Sequence, residues 1–194
     1  MARASHKGKL LTAGFSLVHE RGYGGTSVRD IVNAAGAAQG SFTNHFASKE
    51  KFGLEVLDLY YDKIQSVIDQ TLRNEKLPPL KRLKAYFDIH IASIASYGSK
   101  RGCMFGNTSA EATDENEALR LRVVEMLDQV TASVEYCLKA AVKAGELPAG
   151  TKTKDLAGYI TSSFQGAILM SKAYRSVTPI ERFKRVLLAS VVKG

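Results

Sequence analysis

Two groups of residues in this chain carry chemistry by their type and spacing. Gln39, Ser41, Thr43, Asn44 and His45 fall within seven positions, alternating with the apolar pair Phe42 and Phe46. On one face of a short helix these uncharged donors and acceptors match what base edges offer in a major groove. Thr26, Ser27, Arg29 and Lys49 lie close by in sequence and are hydroxyls and cations of the kind that hold phosphates. The second group is Lys100-Arg101-Gly102-Cys103, followed by Met104-Phe105-Gly106-Asn107. Two cations within three residues of a thiol, with glycines on both sides, favour a thiolate that attacks electrophiles or oxidants. The competing reading is a buried cysteine that fills core. Cys137, between Tyr136 and Leu138 in a regular helical run, reads as structural.

The elements that position the first group are legible one step at a time. Ser27 with Asp30 forms a capping box, with Thr26 as the alternative cap, and Val28, Ile31, Val32 and Ala35 then recur at helical spacing. Gly36 supplies a left-handed C-cap, and Ala37-Ala38 makes a small-residue turn. A second helix is expected from about Gln39 to Phe46, burying Phe42 and Phe46. Ser48 caps a third, with Glu50 near its positive end and Lys49 free to reach a phosphate. Residues 1–51 hold seven Lys/Arg, Arg3 included, against three acids, which is half of the chain's net charge of +8. Three of the four histidines, His6, His19 and His45, lie there too. A basic end on a more balanced remainder is the electrostatic footprint of a nucleic-acid binder.

Composition bounds the rest. A chain of 194 residues with 45% hydrophobic content is long enough for one large or two small cored domains and excludes a disordered one. Four prolines, no tryptophan and no alternating strand pattern predict an all-α fold. Two cysteines without close spacing argue against a disulfide framework or zinc site, so neither metal nor cofactor is expected. Leu156 to Ser171 is an uncharged, largely apolar run that is too short to cross a bilayer. A cytoplasmic protein with no membrane contact is the expectation.

Helical spacing continues from Ser48 to about Asn74, which would connect the two parts of the chain directly. Further helices are expected at about Leu80–Tyr97, Asn107–Ala112, Glu115–Lys143, Thr153–Tyr174 and Thr178–Val192. Residues 1–51 are thus assigned to a three-helix helix-turn-helix domain, and 52–194 to a helical sensing and dimerisation domain. Gly158, Ser162, Ser163, Gly166, Ala167 and Ser171 give the penultimate helix small residues at three- and four-residue spacings. They suit either a buried core helix or a subunit interface. Tyr86, His90, Tyr97, Met104, Phe105, Asn107 and Phe164 have the composition of a small-molecule pocket, though each also serves as a core residue.

The first fifty residues resemble the DNA-binding domain of the TetR family of bacterial repressors. The resemblance rests on Leu10-Leu11, Phe15, Glu20-Arg21-Gly22-Tyr23, Thr26-Ser27, Asp30-Ile31, Ala35-Gly36, Gly40, Phe42, His45-Phe46 and Ser48-Lys49-Glu50. It implies a homodimer paired through its last two helices on a roughly palindromic double-stranded operator. DNA contacts are implied from Thr26, Ser27, Arg29, Gln39, Gly40, Ser41, Thr43, Asn44, His45 and Lys49. Many members carry Tyr where this chain has Thr43, a shorter reach toward a phosphate. Gly102-Cys103, Ser109-Ala110-Glu111, Gly166-Ala167, Lys172 and Arg175-Ser176 resemble a subgroup that includes electrophile- and oxidant-responsive repressors. There Cys103 corresponds to the candidate switch and Lys172 to a lysine that stabilises the thiolate. A small molecule or electrophile would then release the DNA, with no catalytic residue. Two rivals stay open: a thiol-dependent enzyme using Cys103, whose only histidine outside the basic segment is His90, and a non-specific basic DNA-binding protein.

Overall fold

The capping box read at Ser27 is formed in the computed structural model, which describes residues 6–192 of the chain. Arg3, counted above among the N-terminal cations, lies outside the described residues. Ser27 Oγ accepts from the Asp30 backbone N–H at 3.1 Å, and Asp30 accepts from the Ser27 N–H at 2.9 Å. All regular structure among the described residues is helical: α1 (His6–Arg21), α2 (Val28–Ala34), α3 (Lys49–Gln70), α4 (Pro79–Ser96), α5 (Met104–Ala110), α6 (Glu117–Lys143), α7 (Thr153–Tyr174) and α8 (Thr178–Val192). The all-α expectation holds. None of these helices is long and apolar enough to cross a membrane.

The chain forms two compact units. One takes residues up to Asp62 together with Cys103–Val124, the other Lys63–Gly102 together with Glu125 onward, so that α3 and α6 contribute to both. In the first unit Leu10, Val18, Ile31, Val32, Phe42, Phe46, Phe52 and Val56 are buried. Phe52 reaches its place because Gly14 of α1 has no side chain; a Cβ there would fall within the Phe52 ring. In the second unit Phe87, Phe164 and Phe183 stack edge-on or tilted at 5.1–5.6 Å between α4, α7 and α8. Ala157, Ile160, Phe164, Ala167, Ile168 and Ser171 form the buried face of α7.

Several boundaries differ from the sequence expectation, most of them for a local reason. The segment expected as a helix from Gln39 to Phe46 is a 3₁₀ turn over Gln39–Ser41 followed by hydrogen-bonded turns. Ala38 provides no side-chain cap, Gly40 disfavours helix, and Thr43 Oγ1 bonds back to the Gly40 carbonyl at 3.0 Å. Two bonds keep α-type spacing, Asn44 N–H to the Gly40 carbonyl at 3.4 Å and Phe46 N–H to the Phe42 carbonyl at 2.9 Å, and they are not consecutive. The helix expected to reach Asn74 ends at Gln70, where the Thr71 hydroxyl bonds the Val67 carbonyl and the Arg73 N–H reaches back to Ile68. Pro79 begins α4 rather than preceding it, because its fixed φ suits a first helical turn. The helix expected at Asn107–Ala112 starts three residues earlier, at Met104, and α6 is led in by a 3₁₀ turn over Asp114–Asn116.

Candidate DNA-reading face and sensor residues

The reading face is built on an aromatic wedge. Phe42, Phe46 and Phe52 meet with ring centroids 4.9–5.2 Å apart and fix the 39–46 segment to the start of α3. Pinning those two positions turns the intervening residues outward. Gln39, Gly40, Thr43, Asn44 and His45 are exposed and Ser41 half-buried. No neighbour lies within 4 Å of where a Cβ on Gly40 would stand, so the face is open there. Gly36, at φ +60°, turns the chain between α2 and this segment in a conformation that side chains disfavour. Ser48 Oγ accepts the Lys51 N–H at 3.1 Å and starts α3.

The flanking residues divide into two kinds. Ser27 and Arg29 are exposed, and Asp30 is held below the usual carboxylate range chiefly by hydrogen bonds from Ser27. Thr26 is fully buried, and its hydroxyl is committed to the Gly22 carbonyl at 2.8 Å. Lys49 is not the freely swinging cation the sequence suggests. Its ammonium stands 4.3 Å from the Tyr23 ring centroid, and burial pushes it below the ordinary lysine range while the Glu111 carboxylate opposes that shift. Lys7, which the sequence left unassigned, pairs with Glu55 at 2.8 Å and lies 5.4 Å from the Phe46 ring centroid.

The sensor candidates fall in both units. Cys103, Met104, Phe105 and Asn107 belong to the first, and Tyr86, His90, Tyr97, Phe164 and Lys172 to the second. Cys103 is buried and occupies the cap position before α5. The Tyr60 hydroxyl donates to its Sγ at 3.6 Å. The Tyr60 ring in turn packs on Phe105 at 4.9 Å, His19 at 5.4 Å and Phe15 at 6.3 Å. The thiol partner of Tyr60 lies 43 residues away in sequence and has no local signature. Arg101 turns its guanidinium onto Tyr97, 4.4 Å from the ring centroid. Lys172 is half-buried on α7.

Cys137 is structural. It is 1% exposed, its thiol donates to the Pro79 carbonyl at 3.2 Å, and burial pushes it up to about 11. Tyr86, His90 and Phe164 form an aromatic group, with His90 4.5 Å from Tyr86 and 5.7 Å from Phe164. Burial drives His90 down to about 4, and its Nε2 has no hydrogen-bond partner. Met104 and Phe105 are fully buried, whereas Tyr97 is exposed. The small residues of α7 divide by face. Ala167 and Ser171 are in the core, whereas Gly158, Ser162 and Gly166 face outward.

A family described as bacterial regulatory proteins, tetR family, matches residues 10–56, spanning the capped α2, the reading segment and the start of α3. The tetracyclin repressor-like C-terminal domain matches residues 79–187. This chain belongs to the TetR family. It is a DNA-binding transcriptional regulator. Among TetR-family relatives, the HTH-type transcriptional repressor DhaR of Mycobacterium sp. (strain GP1) is 33% identical over 192 residues, covering 99% of this chain and 95% of that protein. The crystal structure of regulatory protein TetR from Rhodobacter sphaeroides superposes with a TM-score of 0.87 at 29% identity, covering 92% of this chain and 94% of that one. The reduced form of E. coli NemR gives 0.85 at 25% identity, with 93% of each chain covered.

Proposed function

We propose that this TetR-family chain is a homodimeric repressor. It reads a roughly palindromic operator through Gln39, Ser41, Thr43 and Asn44, with Gly40 leaving room for the backbone to approach. Ser27, Arg29, His45 and Lys49 hold phosphates, and Thr26 fixes the turn that presents Ser27. The observation that carries this reading is the exposed, uncharged, hydrogen-bonding run from Gln39 to His45, pinned from behind by Phe42 and Phe46. Residues 1–51 serve DNA binding in this account, and 52–194 serve sensing and pairing.

Pairing runs through α7 and α8. Together with the loop at Leu147–Pro148 they line an open, mostly apolar groove of about 750 Å³ in which Tyr159, Met170 and Val186 are exposed. Gly158 and Gly166 have open space beside them, which permits close helix approach by a second copy. Two-fold pairing sets two reading segments on successive major grooves.

Release follows modification of Cys103. The Tyr60 hydroxyl donates to its sulfur, and a bulky adduct there would displace the Tyr60–Phe105 contact. A non-covalent effector is favoured by a different observation: His90 Nε2, Gln165 Oε1 and Ser171 Oγ are buried without partners in the second unit. The experiment is a footprint on the promoter beside the gene, repeated after thiol alkylation, for wild type and Cys103→Ser. Loss of the footprint in alkylated wild type but not in the variant is expected. A footprint retained in both removes the thiol reading, and no footprint at all removes the repressor.

A further inference from the structure

The first unit sets a carboxylate against the turn between α1 and α2. Glu111 closes α5, and its side chain accepts a hydrogen bond from the Gly24 N–H at 2.6 Å, 87 residues away in sequence. The turn between α1 and α2 is shaped to receive it. Gly22 stands at φ +85°, and a Cβ on Gly22 would fall within the Glu111 carboxylate. A side chain at Gly22 is therefore excluded by backbone conformation and by the carboxylate together. Glu111 is itself held at both main-chain groups. Its N–H reaches Asn107 and Thr108, and its carbonyl accepts from Asn116 Nδ2 at 3.2 Å. On the other side, the turn passes its position straight to α2. Gly22 N–H bonds Val18, Thr26 Oγ1 bonds the Gly22 carbonyl, and Thr26 N–H bonds Tyr23. Lys49, over the Tyr23 ring, feels the same carboxylate.

We infer that Glu111 is a positioning residue for operator binding: α5 uses its carboxylate to hold the Gly22–Thr26 turn, and through it Ser27, Arg29 and Lys49, in DNA-binding register. The inference rests on the reading that these residues meet DNA. It makes an electrostatic prediction of unusual sign. An acid beside a basic DNA-facing surface repels phosphates, so its removal should strengthen binding to any DNA if charge alone mattered. A positioning acid behaves oppositely on the operator.

The test compares wild type, E111A, E111D and E111Q on the protein's own upstream fragment and on a scrambled fragment of equal length. Operator affinity of E111A is expected to fall about three- to tenfold, the net range for one lost hydrogen bond, while scrambled affinity falls less, because the removed repulsion offsets the loosened phosphate contacts. E111D keeps the charge but withdraws the carboxylate by one methylene, and falls like E111A; it stands in if E111A does not fold. E111Q, whose amide oxygen still accepts from Gly24, retains most of the affinity. Operator and scrambled affinities rising together in E111A, or an unchanged operator affinity in E111A or E111D, would overturn the inference. Amide hydrogen exchange across residues 22–26 supplies a readout independent of DNA and should accelerate in E111A and E111D; unaltered exchange also overturns it. A wild type that cannot distinguish the two fragments removes the repressor reading, while the exchange measurement still decides whether Glu111 holds the turn.

Discussion

Asn44 and Arg29 are both exposed polar residues, yet the account gives them different work. Asn44, with Gln39, is placed to read base edges, so Asn44→Ala should cost about 1–3 kcal/mol of preference for operator over scrambled DNA. Arg29→Ala should instead weaken both fragments alike and lower the salt slope by about one counterion, as measured by titration across ionic strength. At His90 the prediction concerns pH. Its folded value is depressed to about 4 by burial, against about 6.5 in the unfolded chain. The unfolded state therefore binds the extra proton between those values, and stability rises with pH through that window. The contribution is complete above about pH 6.5 and is lost as pH falls toward 4, up to about 3 kcal/mol. Denaturant midpoints measured from pH 7 to 4 should drop less steeply in His90→Leu than in wild type.

At the scale of the element, local signals predicted well wherever a helix is set by its own residues. The Ser27 capping box, the Gly36 turn and the bounds of α7 and α8 were all legible because caps and apolar spacing act over three or four residues. The reading segment was legible as a surface but not as a helix. Gly40, Ser41, Thr43 and Asn44 have weak helix propensity, and the segment is held by Phe42 and Phe46 against Phe52 instead of by its own ladder. Phe46→Ala should consequently cost about 3–5 kcal/mol of stability and abolish operator binding while leaving α7 and α8 paired, a separation that sedimentation and thermal unfolding can detect. What the sequence hid are the contacts between elements distant in the chain. The hydroxyl of Tyr60 at Cys103, Glu111 at Gly24 and Lys49 on Tyr23 depend on packing that no local pattern encodes.

For the molecule as a whole, the proposed recognition of DNA depends on presenting two copies of the reading face together. The outward stripe of Gly158, Ser162 and Gly166 on α7, beside exposed Tyr159, Met170 and Val186, gives the chain a surface suited to a second copy. Val186→Glu places a charge in that groove and should yield a folded monomer with at least tenfold weaker operator binding, because one half-site contributes far less than two. The central claim is tested most directly by titrating wild type against its own upstream fragment and a scrambled fragment at several salt concentrations, with Val186→Glu in parallel. The account predicts a dimer that binds the upstream fragment at least a hundredfold more tightly, with affinity falling steeply as salt rises. Equal affinity for the two fragments, in the wild-type dimer, would contradict it.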